Sequence, residues 1–130
     1  MKILEFDAVV IGTGCAGFNV ADSLYNLDYK NIAIITEGIN LGTSRNTGSD
    51  KQTYYKLGLS GESLDSVISM AKNLFAPGSV DGDNALVEAA LSPRSFLNLC
   101  ELGVAFPHNR YGEYIGYKTD HDPFERATSA

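Results

Sequence analysis

The feature that most constrains this chain is an apolar run near the amino terminus that ends in a cluster of glycines. Residues 6–11 read FDAVVI, and residues 12–17 read GTGCAG. A near-continuous apolar run is typical of a parallel strand, because helices cover such a strand on both faces. Residues 6–11 are therefore predicted to form a first strand that ends at Gly12.

A helix and a second strand are predicted to follow. Apolar residues recur at helical spacing between Cys15 and Leu27, and the Asn and Asp residues after them favour a turn. Residues 31–36 read NIAIIT, which predicts a short strand that ends before Glu37. A strand, a helix and a strand within about thirty residues make a β-α-β unit, whose two strands are parallel.

The remainder of the chain carries weaker signals. Residues 38–61 are rich in Gly, Ser, Thr and Asn, and such a long polar connection usually has a function. Ser92-Pro93 predicts the start of a new helix, because serine is a favoured cap and proline a favoured first residue. The predicted elements are helices over 64–75, 85–91 and 92–103, a brief strand over 104–106, and a hairpin or extended segment over 111–117.

Composition excludes several classes of function. The chain has ten Lys and Arg against sixteen Asp and Glu, so its net charge of -6 repels nucleic-acid phosphates and anionic lipids. No apolar run approaches the roughly 20 residues of a transmembrane helix, and the pattern of a signal peptide is absent. Two cysteines are too few for a disulfide scaffold or a structural zinc site. We expect a cytoplasmic protein with no nucleic-acid partner, no transmembrane segment and no bound metal.

The glycine cluster has the spacing and the context of a dinucleotide-binding fingerprint. It follows a predicted buried strand, opens a predicted helix and lies about twenty residues before Glu37. Gly12 permits a tight turn, Gly14 lets the backbone approach a pyrophosphate, and Gly17 lets the helix pack close to the strand. A glycine-rich turn in an unrelated α/β protein is the alternative interpretation.

The predicted ligand is an adenosine-containing dinucleotide. The amino terminus of the helix offers free N–H groups and a favourable dipole to the phosphates. Glu37 is expected to accept hydrogen bonds from both ribose hydroxyls. No Lys or Arg closely follows Glu37, so a ribose that carries a 2′-phosphate would be repelled.

Two segments resemble one family of flavoproteins. Residues 7–17 together with Glu37 are similar to the FAD-binding start of the family that includes fumarate reductase and succinate dehydrogenase flavoprotein subunits and L-aspartate oxidase. Residues 101–106, ELGVAF, with the predicted hairpin after them, resemble the family's ELGVPF segment, which precedes its substrate-capping domain. The resemblance implies an α/β protein with a Rossmann-like FAD-binding fold.

Only part of that fold is expected within these 130 residues. A doubly wound sheet needs about four or more parallel strands, and this chain offers two strong candidates. We therefore expect residues 1–130 to be the amino-terminal portion of a longer FAD-binding domain. The family's capping domain and its catalytic Arg and His residues are expected after residue 130, so the catalytic residues stay unknown.

The polar segment after Glu37 occupies the place where members of the family run their chain along the flavin. Small and hydroxylated residues over 41–50 suit hydrogen bonds to the ring and the pyrophosphate, with a solvated linker as the alternative. Members that bind flavin covalently have Ser-His-Thr where this chain has Ser44-Arg45-Asn46. Arginine cannot form the histidyl bond, so the FAD is expected to be non-covalent, with Arg45 available to stabilise the anionic reduced flavin.

Fingerprint and resemblance together assign the cofactor-binding residues and a function. The implied function is a flavin-dependent oxidoreductase that moves a hydride between flavin N5 and a carbon of a small carboxylate substrate, with an iron–sulfur or other electron-transfer subunit as its partner. The alternatives are an NAD-binding Rossmann dehydrogenase and a non-catalytic nucleotide-binding module. The assigned cofactor-binding residues are Gly12, Thr13, Gly14, Cys15, Ala16, Gly17, Glu37, Gly38, Gly42, Thr43, Ser44, Arg45, Thr47, Gly48 and Ser49.

The two cysteines are interpreted as ordinary thiols. Cys15 lies at the start of the predicted helix, where a redox role is conceivable, but a small side chain beside the cofactor is the preferred interpretation. Cys100 belongs to an apolar helical stripe and is predicted to lie in the core.

Two tyrosines, two histidines and two aspartates remain to be interpreted. Tyr54 and Tyr55 are predicted to pack in a core, with shielding of the flavin as the alternative. In extended backbone His121 points away from Asp120 and Asp122, which makes a shared metal unfavourable. Polarity at a surface or a domain junction is preferred for these residues and for His108, and an active-site role for His121 is the alternative.

Overall fold

The computed structural model describes residues 2–48, 53–59, 64–120 and 122–130. The chain divides into two compact units, residues 1–50 and 51–130. Helices and strands are mixed, with four helices and five strands among the described residues, and the strands form two small sheets. The α/β class is therefore confirmed, while the assignment of residues 1–130 to a larger FAD-binding domain stays a prediction.

The first unit contains the predicted β-α-β arrangement. Its elements are β1 (Ala8–Ile11), α1 (Cys15–Asn26), β2 (Ile32–Ile35) and a short helix α2 (Thr43–Asn46). β1 and β2 pair in parallel, with Val9 opposite Ala33 and Ile11 opposite Ile35. The strand, the helix and the parallel strand are confirmed, and each strand is two residues shorter than the apolar run that predicted it.

Much of the apolar surface of this sheet stays exposed. Val10 is buried, whereas Val9, Ile11 and Ile35 each expose at least half of their surface. Parallel sheets are normally covered on both faces, because crossover helices lie against them. The exposed side chains are the physical reason to expect further strands beside β1 and β2, and that expectation stays a prediction.

The second unit combines a helix pair with an antiparallel sheet. Its elements are β3 (Thr53–Tyr55), α3 (Val67–Phe75), α4 (Gly82–Glu101), β4 (Tyr117–Thr119) and β5 (Asp122–Ser129). β5 lies between β3 and β4 and is antiparallel to both. α3 packs against α4. The buried apolar residues of this unit are Met70, Ala85, Ala89, Phe96, Phe106 and Ala127.

The helix break predicted at Ser92-Pro93 is wrong, because α4 continues through Pro93. Proline has no N–H, so it cannot donate the usual helical hydrogen bond to the carbonyl of Ala89. The Ser92 hydroxyl donates to that carbonyl instead, at 2.9 Å, and its oxygen accepts a hydrogen bond from the Leu57 N–H at 3.1 Å. The serine therefore fills the gap that the proline leaves.

The strand predicted over 104–106 is also wrong. α4 ends in a hydrogen-bonded turn in which Gly103 has φ 93°, the Gly103 N–H donates to the Cys100 carbonyl, and the Val104 N–H donates to the Leu99 carbonyl. This turn holds the backbone of Val104 at the helix end. The hairpin predicted over 111–117 is present as a turn closed by a bridge between His108 and Tyr114.

β5 is the largest difference from the sequence-based prediction, which placed no strand after residue 117. Its buried positions include Asp122, Arg126 and Thr128. Strand prediction depends on apolar residues at alternate positions, and here polar residues occupy those positions. The polar connection predicted over 38–61 likewise contains α2 and β3.

Candidate functional site

The glycine-rich loop joins β1 directly to α1. Gly12 has φ 100°, a conformation that residues with a side chain rarely adopt, and it turns the chain sharply out of the strand. Gly14 is the amino-terminal cap of α1 and has an ordinary extended conformation, with φ -75° and ψ 178°. Gly12 is therefore the position in this loop where the backbone conformation requires glycine.

Gly17 allows α1 to pack against the loop. A Cβ at this position would overlap the carbonyl oxygen of Gly12 and would lie 3.1 Å from the carbonyl carbon. It would also lie 3.5 Å from a methyl group of Val10. The close approach of helix and strand that the third glycine predicts is thus present, and a larger residue would force the two apart.

A cavity of about 360 Å³ lies at the carboxyl ends of β1 and β2. Ligands of open α/β sheets bind at this edge, where the loops after the strands meet. The amino terminus of α1 borders the same loop, so the positive end of its dipole is close to the cavity. The lining residues are Ile11, Gly12, Thr13, Gly14, Ile35, Thr36, Glu37, Leu41 and Gly42.

Two threonines connect the glycine loop with the end of β2. The hydroxyls of Thr13 and Thr36 lie 3.0 Å apart. Thr36 also bonds to Gly38, donating to its carbonyl at 3.2 Å and accepting from its N–H at 3.3 Å. These hydrogen bonds hold Glu37 at the cavity, opposite the glycine loop.

The Glu37 carboxylate is available to a ligand. The residue is exposed, lines the cavity and forms no hydrogen bond or ion pair within the described part of the chain. A carboxylate can accept two or more hydrogen bonds, as neighbouring ribose hydroxyls require.

The segment after Glu37 folds back onto the start of α1. The Cys15 N–H donates a hydrogen bond to the Ser44 hydroxyl oxygen at 3.1 Å. The Asn46 side chain donates to the carbonyls of Asn40 and Gly42, at 3.0 and 2.8 Å, and the Thr47 hydroxyl donates to the carbonyl of Thr43. These bonds order the described part of the segment, although residues 41–48 are exposed to solvent, so a solvated linker stays the alternative.

The structure brings together part of the predicted cofactor-binding set. Gly12, Thr13, Gly14, Glu37 and Gly42 line the cavity, and Ser44 bonds to the start of α1. The other members lie beside these residues in α1 or along the segment from 38 to 48, and Ser49 lies outside the described residues. Sequence reasoning missed Thr36, although a hydroxyl residue at the end of a predicted strand was a usable signal.

The two cysteines and the two tyrosines differ in how well their positions match the predictions. Cys15 is exposed, and Cys100, which was predicted to be a core residue, is only half-buried. Tyr54 and Tyr55 are half-buried, and Tyr54 packs against the rings of Phe96 and Phe106, with centroid distances of 5.8 and 6.1 Å, as core packing predicts.

The acidic residues near the carboxyl end have different environments. Polarity at a surface or a domain junction was predicted for these residues. Asp120 and His108 are exposed, whereas Asp122 is buried and bonds to Arg126 of the same strand, so a surface position is wrong for Asp122. His121 lies outside the described residues, and its alternative active-site role stays a prediction. No group of three His, Cys, Asp or Glu side chains suited to a metal occurs among the residues that the structure describes.

Arg126 is a buried cation whose donors are all used. Its guanidinium donates to both carboxylate oxygens of Asp65, at 2.9 and 2.6 Å, and to Asp122 at 2.9 Å. The remaining two N–H groups donate to the hydroxyls of Ser69 and Tyr55, at 3.1 and 3.3 Å. A guanidinium has five N–H donors, so Arg126 has none left for a substrate carboxylate.

Burial and hydrogen bonding shift the pKa values of Asp65 and Arg126 in opposite directions. Burial alone raises the pKa of the Asp65 carboxyl, but hydrogen bonds from Arg126 and from the backbone N–H groups of Gly58 and Ser66 outweigh it, so the pKa lies below its usual value. Burial likewise lowers the pKa of Arg126, and its bonds to Asp65 and Asp122 raise it above the usual value. The charged forms of both partners are therefore favoured.

Lys56 is a second buried cation of the same unit. Its ammonium group lies 4.8 Å from the centroid of the Phe96 ring and 3.5 Å from the Leu57 carbonyl oxygen. Burial lowers the pKa of Lys56, and the neighbouring Cys100 offsets part of this effect.

Comparisons with known proteins add no assignment. No protein-family model matches the chain, and no curated protein matches it. None of the helices in the described ranges is long and apolar enough to cross a membrane. A functional assignment therefore depends on the residues at the cavity.

Proposed function

We propose that the first unit binds the adenylate and pyrophosphate portion of FAD, as the start of a Rossmann-like fold in a flavin-dependent oxidoreductase. The observation that carries this proposal is the cavity at the carboxyl ends of β1 and β2, which joins the glycine loop, the start of α1 and Glu37. By resemblance, the complete protein is similar to fumarate reductase and succinate dehydrogenase flavoprotein subunits and to L-aspartate oxidase.

The loop fits a pyrophosphate. Gly14 presents bare backbone at the amino terminus of α1, and a Cβ there would lie 3.5 Å from the Ser44 hydroxyl oxygen, in the space between loop and segment. N–H groups at the start of a helix, aided by its dipole, bind phosphate oxygens. We place the pyrophosphate in the cavity that Gly12, Thr13 and Gly14 line.

The end of β2 fits a ribose that carries two free hydroxyls. The uncommitted carboxylate of Glu37 is held beside the glycine loop by the Thr13 and Thr36 pair. A carboxylate attracts hydroxyl donors and repels a phosphate group, so an unphosphorylated ribose is preferred.

Two features favour FAD over NAD, which shares the glycine loop. The ordered segment that carries Thr43 and Ser44 returns to the start of α1, as a chain that follows a flavin cofactor would. Residues 101–106 resemble the flavoprotein segment. When bound, the flavin supplies the atom that accepts or donates a hydride. The described residues hold the cofactor, and Arg126 is too fully bonded to bind the small carboxylate substrate.

Titration of the flavin-free protein with FAD, FMN and NAD⁺ tests this proposal. We expect FAD to bind and ADP to compete with it, because the first unit holds the adenylate half. FMN lacks that half and is expected to bind more than about tenfold more weakly, a difference of about 1.4 kcal/mol. Flavin fluorescence and calorimetry measure these affinities.

Two substitutions that each remove one negative charge test the role of Glu37. Glu37→Gln is expected to weaken FAD binding by about 1.5–3 kcal/mol, because a charge-assisted hydrogen bond to the ribose is lost. Glu5→Gln removes the same charge before β1, at the other end of the strand, and should have no effect. Binding of NAD⁺ in preference to FAD would support the dehydrogenase alternative, and failure to bind any of these nucleotides would contradict the site.

A further inference from the structure

One cation of the first unit belongs to the segment that borders the cavity. The described cationic side chains of this unit are Lys2, Lys30 and Arg45. Lys30 pairs with Asp28 and donates a hydrogen bond to the Tyr25 carbonyl, at the far end of α1 from the cavity. Arg45 is exposed and forms no hydrogen bond or ion pair within the described residues.

The backbone of Arg45 has a defined position although its guanidinium is uncommitted. Arg45 follows Ser44, whose hydroxyl oxygen lies 3.1 Å from the N–H nitrogen of Cys15 at the start of α1. The Asn46 side chain, on the next residue, bonds to the Asn40 and Gly42 carbonyls and fixes this turn. The long side chain of Arg45 therefore starts one residue from the group that contacts the helix amino terminus.

The negative charge at the cavity would favour a nearby cation. A dinucleotide pyrophosphate is dianionic, and the Glu37 carboxylate adds a further negative charge at the same cavity. The helix dipole supplies only about half an elementary charge at the start of α1. The net charge of the chain is also negative, at -6, so the general field of the protein does not help.

We propose that Arg45 binds the pyrophosphate of the dinucleotide and supplies the positive charge that this site otherwise lacks. The inference rests on the proposed function. It differs from the expectation that Arg45 acts on the reduced flavin ring, because Ser44 places this turn at the phosphate-binding end of α1. A guanidinium also matches phosphate geometry, with paired N–H donors.

Separate measurements of ADP affinity and FAD affinity test the inference, because ADP carries the pyrophosphate without the flavin. Arg45→Gln is expected to weaken both ligands by the same factor, about ten- to a hundredfold. Arg45→Lys should lose only part of the affinity, since an ammonium keeps the charge without the paired donors. The affinity of the unaltered protein should also fall more steeply with salt than that of Arg45→Gln.

Lys30→Gln is the matched control, because it removes one positive charge from the same unit away from the cavity. We expect it to leave both affinities unchanged, and the exposed Arg45 variants should keep the melting temperature. A loss of FAD affinity with ADP affinity unchanged would place Arg45 at the flavin and overturn the inference. Equal affinities in Arg45→Gln and the unaltered protein, or an equal loss in Lys30→Gln, would overturn it as well. If the unaltered protein binds neither ADP nor FAD, the proposed function fails and the inference fails with it.

Discussion

Replacement of Arg126 by methionine is expected to lower the free energy of unfolding of the second unit by about 3–5 kcal/mol. The substitution leaves the buried carboxylates of Asp65 and Asp122 without their shared cation, and removing one partner of a buried ion pair costs far more than the pair contributes. A domain is stable by only about 5–15 kcal/mol, so this loss is a large fraction of the stability of the unit. Urea denaturation followed by circular dichroism measures the loss.

Two further variants distinguish the effect of the buried hydrogen bonds of Arg126 from the effect of losing a positive charge. Arg126→Lys keeps the charge but cannot serve five acceptors in one plane, so we expect it to lose a large part of the stability. Arg94→Met removes an exposed arginine from α4 and should change the stability by no more than about 0.5 kcal/mol. An Arg126→Met protein that unfolds at the same urea concentration as the unaltered protein would contradict the structural role of the network.

The ion pairs of Arg126 also predict that the stability of the second unit depends on pH. The pKa of Asp65 is lower in the folded state than the usual value, so the folded state binds this proton less tightly than the unfolded state does. The stabilisation is therefore complete above the ordinary carboxyl pKa of about 3.9 and is lost as the pH falls through the lower folded value. In Arg126→Met the carboxylates are buried without a cation, which favours their protonated form, so the stability difference between the two proteins should shrink steadily as the pH falls towards and below about 4.

The second large effect is expected from Gly17→Ala. The new Cβ would overlap the Gly12 carbonyl oxygen, and the backbone there cannot move aside without separating α1 from β1. We expect the first unit to lose about 3 kcal/mol, the upper end of the usual range for overpacking. Hydrogen exchange over residues 2–48 measures this loss and leaves the second unit as an internal reference.

Gly14→Ala is the companion variant, because it affects the ligand and not the fold. Its Cβ would make an ordinary contact of 3.5 Å with the Ser44 hydroxyl oxygen, and the φ of -75° suits any residue. We therefore expect normal hydrogen exchange together with an FAD affinity at least about tenfold lower, since a Cβ on Gly14 would keep the pyrophosphate from approaching the backbone of the loop. Gly17→Ala with unaltered exchange, or Gly14→Ala with unaltered FAD binding, would contradict these two roles.

The first unit could be predicted from sequence because its signals are local. The apolar runs, the glycine spacing and Glu37 lie within one β-α-β stretch, and each has a physical meaning without knowledge of the rest of the chain. The contact between Cys15 and Ser44, 29 residues apart, could not be predicted in this way. It depends on how the polar segment folds back, which its own hydrogen bonds determine.

The second unit was harder to predict because distant partners change the meaning of its polar residues. Arg126 in a short strand near the carboxyl end indicates an exposed position until Asp65, 61 residues earlier, is placed against it. The helix stop predicted at Pro93 followed the usual rule, and the Ser92 hydroxyl overrides that rule by bonding to the Ala89 carbonyl. In both places a side-chain hydrogen bond reverses the local preference.

Flavin content after gentle purification of the full-length protein tests the central claim most directly. We predict a yellow protein with one FAD per chain, and acid precipitation should leave the colour in the supernatant, because Ser44-Arg45-Asn46 offers no histidine for a covalent bond. Colour that stays with the precipitate would contradict non-covalent binding. A folded, colourless protein that takes up no FAD when the cofactor is added would contradict the proposed function itself.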